Sequence, residues 1–114
     1  MSIKLEKRRF PRITLKSPLR CQIRGEREAN NVVSSDIGLG GLSFINDRFI
    51  TPNTFINLEL KILNRVISPI GRIVRSNPLP YSDKYRMGVE FLEIDFQHKK
   101  LLSDYINMQL QNAS

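Results

Sequence analysis

Two short stretches of this 114-residue chain hold side chains that can bind an anion bearing hydrogen-bonding edges. The first is Arg8-Arg9-Phe10-Pro11-Arg12, three guanidiniums within five residues. Arginine offers planar, paired N–H donors and a face that stacks on aromatic rings, which suits a ligand with both phosphates and purine bases. It can address O6 and N7 of guanine together, or lie over the base by cation–π contact. Pro11 fixes its own φ and biases Phe10 toward extended backbone. The second stretch is Asp36-Ile37-Gly38-Leu39-Gly40-Gly41. An ionised carboxylate only accepts, so Asp36 can take the N1–H and N2–H donors of a guanine edge. The glycines leave backbone N–H groups open to close approach. Each stretch also has a plainer reading, as a solvated basic tail and as a Gly-rich turn with Asp as turn former. The glycine spacing matches neither a P-loop, which needs Gly-Lys-Ser/Thr after four residues, nor a dinucleotide fingerprint, which needs a βαβ surround.

The elements that must position these groups are mostly strands. Ile13, Leu15, Leu19, Cys21 and Ile23 alternate with Thr14, Lys16, Arg20, Gln22 and Arg24. This period of two predicts one strand with a buried and a wet face, with Ser17 the exception on the inner parity. Pro18 falls on the wet parity, where a bend or bulge tolerates its missing N–H. Cys21 points inward as a small core residue. A short strand is expected over 31–37, with Val33 and Ile37 on one face, followed by a resumed run at Leu42-Ser43-Phe44-Ile45. Thr54, Ile56, Leu58, Leu60 and Ile62 form the clearest alternation. Asn64-Arg65 reads as a tight turn, residues 66–75 as the returning strand, and Tyr85, Met87, Val89 and Phe91 as the last inward set. The period then changes. His98, Leu101, Leu102, Tyr105 and Ile106 fit a helical stripe of about four turns, with Asp95 as its N-cap and His98 as a structural contact. About six short strands and one amphipathic helix predict a mainly β fold, a small antiparallel barrel carrying the helix.

Charge and composition narrow the function. Residues 1–27 hold nine basic and two acidic residues, so they contain the whole net charge of +7; the remainder balances. A basic leading segment before a neutral domain points to an anionic partner. The length fits one domain. No run of about 18 apolar residues is present, so no membrane-spanning helix is expected. Lys4, Glu6, Lys7, Arg8 and Arg9 interrupt any apolar signal-peptide core. One cysteine excludes an internal disulfide and fits a reducing cytoplasm, and one Cys with one His cannot build a Cys/His zinc site. No nucleophile–base pair or carboxylate dyad stands out, so an enzyme is not expected.

Taken together, Arg-x-x-x-Arg at Arg8 and Arg12, one long strand, and Asp-x-x-x-x-Gly at Asp36 and Gly41 resemble the PilZ domain family. Gly41-Leu42-Ser43-Phe44 looks like the strand after its second motif, and Tyr85-Arg86-Met87-Gly88-Val89-Glu90-Phe91 like its late strand. The resemblance spans about residues 6–110. It implies a six-stranded antiparallel β-barrel with one C-terminal α-helix, divided as a basic arm (1–12), a barrel (13–94) and a helix (95–114). It implies a stand-alone receptor for the bacterial second messenger cyclic di-GMP, with no other cofactor, acting on a downstream protein partner in regulation of motility or biofilm formation. Arg8 and Arg12 would hold guanine and phosphate, with Arg9 supporting them. Asp36 and Gly41 would fill the ends of the Asp/Asn-x-Ser-x-x-Gly motif. Gly38 stands where that motif has Ser. The lost hydroxyl is worth on the order of 0.5–1.5 kcal/mol, up to about tenfold in affinity. Lys7 precedes the first motif, a position that in the family influences whether one ligand or a stacked pair binds, and it would be an additional ligand contact; the protein itself is expected as a monomer or homodimer.

The expected mechanism is ordering of the polar arm onto the barrel by a dianionic ligand, altering the surface offered to a partner. Two binding-module rivals stand beside it. One is a PilZ-like interaction module that no longer binds nucleotide, favoured by Gly38. The other is a barrel for single-stranded nucleic acid. The scattered Phe44, Phe55 and Phe91 and the concentration of charge on one arm argue against that long polyanion.

Overall fold

The computed structural model describes residues 11–112. Expectations for Lys7, Arg8, Arg9 and the rest of the arm before Pro11 lie outside the described residues. The chain forms β1 (Arg12–Thr14), β2 (Pro18–Ile23), β3 (Asn30–Gly38), β4 (Gly41–Asn46), β5 (Phe55–Ile62), β6 (Arg65–Ile67), β7 (Ile70–Pro78), β8 (Tyr85–Glu93) and α1 (Phe96–Asn112). Six strands close an antiparallel barrel in the order β3-β2-β5-β7-β8-β4, with β4 pairing back onto β3. Two three-residue strands lie off this ring. β1 pairs with β3, and β6 pairs with β5.

Alternation drives the barrel. In β5 every second residue (Ile56, Leu58, Leu60, Ile62) is buried and every residue between is exposed. Phe44, Ile37, Leu42, Ile73 and Met87 are among the other fully buried side chains of the interior. Burying such a side chain stabilises the fold by about 1.5–3 kcal/mol each. Cys21 sits in this core as expected. Burial pushes its thiol pKa up to about 11, against a smaller opposing effect from the positive charge of Arg48. The side-chain carboxylate of Asp95 accepts the Gln97 and His98 backbone N–H groups at 3.0 and 3.4 Å, as an N-cap does. α1 then seats Leu102 and Ile106 in the core and lies against β1.

Three local readings are corrected. The strand expected over 13–24 is two strands, because Ser17, the inner-parity exception, breaks it. The Ser17 backbone N–H donates to Ser34 Oγ at 3.1 Å, the Ser17 hydroxyl donates to the Lys61 carbonyl at 2.7 Å, and the Ser34 hydroxyl donates to the Leu15 carbonyl. These bonds replace the interrupted ladder. Second, Val33 and Ile37 do not share a face. A β-bulge between Ser34 and Asp36 inserts one residue and reverses the parity, leaving Val33 54% exposed and Ile37 buried. Third, the hairpin turn is Leu63-Asn64, since Ile62 pairs with Arg65; Leu63 takes a φ of 57° there. The returning strand is interrupted at Ser68-Pro69, giving β6 and β7.

Candidate ligand-binding site

The site predicted around Arg12 and Asp36 is built where β3 is flanked on both edges. β1 pairs with one edge of residues 36–38 and β4 with the other. Ile13 and Ile37 face the core, so Arg12, Thr14 and Asp36 project from the outer surface of the barrel. Arg12 lies opposite Gly38, and Asp36 lies diagonally from Arg12, within reach of a long side chain. Arg12 Nη1 donates to Asp36 Oδ1 at 2.6 Å, with the two side chains 19% and 30% exposed. Two candidate residues 24 positions apart therefore meet in one charge-assisted bond.

The hairpin between β3 and β4 turns on Leu39-Gly40, with Gly38 opposite Gly41. In this structure both glycines make room for neighbouring backbone. A Cβ on Gly38 would stand 2.8 Å from the Pro11 carbonyl oxygen and 3.2 Å from Arg12 Cγ. A Cβ on Gly41 would stand 1.9 Å from the Val89 carbonyl oxygen, so the β4–β8 pairing needs glycine there. Arg12, Asp36, Gly38 and Gly41 are thus brought together, and Lys7, Arg8 and Arg9 lie outside the described residues.

Neighbours that sequence reasoning did not single out border this group. Gly41 pairs with Glu90, Glu90 with Arg72, and Arg72 with Phe55, continuing one cross-strand row. Arg72 donates to Glu90 Oε1 at 2.5 Å and to Asn53 Oδ1 at 2.8 Å, and the Arg24 guanidinium lies 4.9 Å from the Phe55 ring centroid. These residues come from separate segments, and apart from Glu90, which lies in the Tyr85–Phe91 stretch, no local motif marks them. For Phe55, Arg72 and Glu90 the shared signal is a wet-parity position on the strand, while Arg24 and Asn53 lie just outside the strands. Opposite Asp36 on β4, the Ser43 hydroxyl is buried with no hydrogen-bond partner among the described residues.

Chemically, the site pairs an acceptor-only carboxylate with guanidinium donors on an outer barrel surface. A ligand with an N–H edge and an anionic group can satisfy both by taking the place of the Arg12–Asp36 bond. Among the described residues, no group of three or more His, Cys, Asp or Glu side chains could hold a metal ion, and no helix is long and apolar enough to cross a membrane.

Comparison with known proteins follows the same lines. The family model described as PilZ domain matches residues 6–108. A comparison with curated proteins finds no match. Among solved structures, the chain is similar to the Bacillus subtilis inhibitor of motility MotI/DgrA (21% identity, TM-score 0.79, covering 94% of this chain and 53% of that one). It is similar to the MrkH–c-di-GMP complex of K. pneumonia (17% identity, TM-score 0.78, 96% and 55%). It is also similar to the PilZ domain of YcgR from Escherichia coli with c-di-GMP (14% identity, TM-score 0.69, 95% and 94%). The chain spans about half the length of the first two. At these identities the likeness is one of fold.

Proposed function

The chain belongs to the PilZ domain family, and on that premise we propose that it is a receptor for cyclic di-GMP. The observation that carries the reading is the meeting of Arg12 and Asp36 at 2.6 Å on the outer barrel surface, beside the Gly38–Gly41 hairpin. Two of the similar structures, those of MrkH and YcgR, contain c-di-GMP, which supports the same ligand.

In the proposed mechanism Asp36 accepts N1–H and N2–H of a guanine, and Arg12 turns from Asp36 to a phosphate or to the guanine O6/N7 edge. Arg8 supplies the second guanidinium and Arg9 a supporting contact. Lys7, the residue before the first motif, would support the extra phosphates of a stacked pair. With its arginines neutralised, the segment before β1 docks on the barrel. The docked segment changes the surface met by a downstream protein, so the ligand works through differential affinity for two states.

Gly38 favours a second reading, a family member that has become an interaction module without nucleotide. The motif hydroxyl is missing, and the Pro11 carbonyl lies 2.8 Å from where a Cβ would stand. Thermal unfolding with added cyclic di-GMP separates the two. A ligand at a hundredfold its Kd stabilises by about 2.7 kcal/mol, a rise of roughly 10 °C for a domain of this size. No rise at high micromolar ligand would leave the interaction module. A rise with unchanged hydrogen exchange over residues 5–13 would keep the receptor and remove the relay through the arm.

A further inference from the structure

We infer that the open seam between β3 and β4 is a docking groove for an extended, acidic peptide segment of a partner protein, which adds there as a strand. The ladder between these strands runs from Gly38↔Gly41 to Ser34↔Phe44 and stops. β3 continues to Asn30 paired with β2, and β4 continues to Asn46 paired with β8. The two strands therefore part at the Ser34/Asp36 bulge, and on the facing edges of 30–33 and 45–46 no strand pairs among the described residues. A cleft of about 730 Å³ lies between them, lined by both strands. In a closed barrel every strand edge is normally covered. Here, among the described residues, nothing pairs with that edge over four residues of β3, about 13 Å of extended chain. Unpaired edge N–H and C=O groups are the template on which an added strand binds.

The lining selects the occupant. Lys16, Arg48 and Lys84 border the cleft against one acid, Asp47. Lys16 has no acidic partner among the described residues. Lys84 pairs with Asp47 at 2.8 Å and Arg48 with Glu26 at 3.2 Å, through exposed side chains whose pairing is weak and exchangeable. The cleft is therefore cationic. The chain's own leading segment is a poor occupant. Residues 1–10 carry four basic residues and one acid, and Pro11 leads into β1 at the Gly38 end of β3, away from the seam. Val33, more than half exposed, and the half-buried Ile45 offer apolar contact to alternate side chains of the incoming strand. An acidic residue at every second position, with apolar residues between, fits this pattern. The groove uses neither Arg12 nor Asp36, so it stands or falls apart from the nucleotide reading.

The test uses the full chain, isotope-labelled for NMR, titrated with an eight-residue peptide alternating glutamate and valine and with its lysine–valine counterpart. The glutamate peptide is expected to shift amides of residues 30–35 and 44–48, slow exchange of the Asn31 and Val33 amides, and bind more weakly as salt rises. The double variant Lys16→Glu/Lys84→Glu should bind it roughly tenfold more weakly and gain binding of the lysine peptide. That gain also shows that the variant is folded. Shifts mapping elsewhere, equal binding of both peptides by the wild type, or no binding at millimolar peptide would overturn the inference. So would sedimentation showing a dimer that the double variant dissociates, because a second copy would then fill the seam.

Discussion

Replacing Gly38 by serine supplies the motif hydroxyl missing from the proposed binding site, and two opposite effects are expected. The new Cβ would stand 2.8 Å from the Pro11 carbonyl oxygen, closer than real Cβ contacts allow, and 3.2 Å from Arg12 Cγ. Something must move, and β1 is the candidate: it is three residues long and joined to β3 by the pairs Arg12↔Gly38, Ile13↔Ile37 and Thr14↔Asp36. Overpacking costs typically 1–3 kcal/mol. A short flanking strand can yield, so about 1–2 kcal/mol is expected, a fall in Tm of roughly 4–8 °C. The hydroxyl adds one hydrogen bond to the ligand, about 0.5–1.5 kcal/mol, or roughly two- to tenfold tighter cyclic di-GMP binding. Gly38→Ala separates the effects, since it has the Cβ and lacks the hydroxyl. Both variants should melt lower by similar amounts, and Gly38→Ser should bind more tightly than Gly38→Ala. Scanning fluorimetry and ligand titration on the three proteins read this directly. Unchanged melting of both variants would refute the close approach of β1 to Gly38. Equal affinity of Ser and Ala variants would refute the role given to the hydroxyl.

Three further outcomes are expected. Gly41→Ala places a Cβ 1.9 Å from the Val89 carbonyl oxygen inside the β4–β8 ladder, so it should cost more than about 3 kcal/mol, seen as a large drop in the urea midpoint or in soluble yield. Asp95→Ala removes the acceptor of the Gln97 and His98 N–H groups and should cost about 1 kcal/mol in urea unfolding, while Asp95→Asn should recover most of it. Cys21, its pKa raised by burial to about 11 from 9.0, should resist thiol reagents at pH 8 until the protein unfolds. In the unfolded chain the thiol ionises near pH 9 while the folded chain still holds the proton. Its stabilising contribution is therefore intact below pH 9 and lost as pH rises toward 11, on the order of 2–3 kcal/mol. Comparing urea midpoints of wild type and Cys21→Ala across pH 8–11 isolates this loss, and parallel pH profiles would contradict it.

The barrel and its helix were legible because their signals are local and periodic. The alternation in Ile56, Leu58, Leu60 and Ile62 needs no tertiary information, nor does the Asp95 cap. What escaped were features that depend on partners far along the chain. The break at Ser17 is stabilised by Ser34 and by the Lys61 carbonyl, and nothing near Ser17 announces either. The bulge between Ser34 and Asp36 reverses which side of β3 is buried, a switch that alternation alone reads as a continued face. The candidate site divides the same way. Arg12, Asp36, Gly38 and Gly41 lie in two motifs visible by eye, and their meeting follows from the pairing of β1 with β3. Arg72 and Asn53 lie in no motif, and Glu90, within the Tyr85–Phe91 stretch, is set beside Gly41 only by the cross-strand row that also brings Arg72 there. The glycines carry a further lesson. Their spacing suits a ligand, and in the fold it also suits the Pro11 and Val89 carbonyls that crowd them.

Calorimetric titration of cyclic di-GMP into the wild type, Arg8→Ala, Arg12→Ala and Asp36→Ala tests the receptor reading most directly. The Arg12 and Asp36 side chains are only 19% and 30% exposed, so removing either partner should cost about 1–3 kcal/mol, and binding is compared at a temperature where every variant is folded. The predicted result is saturable heat for the wild type and heat lost or weakened at least tenfold in each variant, with each variant still folded at the titration temperature. Absence of heat for the wild type at high micromolar ligand, or wild-type affinity retained in Arg12→Ala and Asp36→Ala, would contradict it.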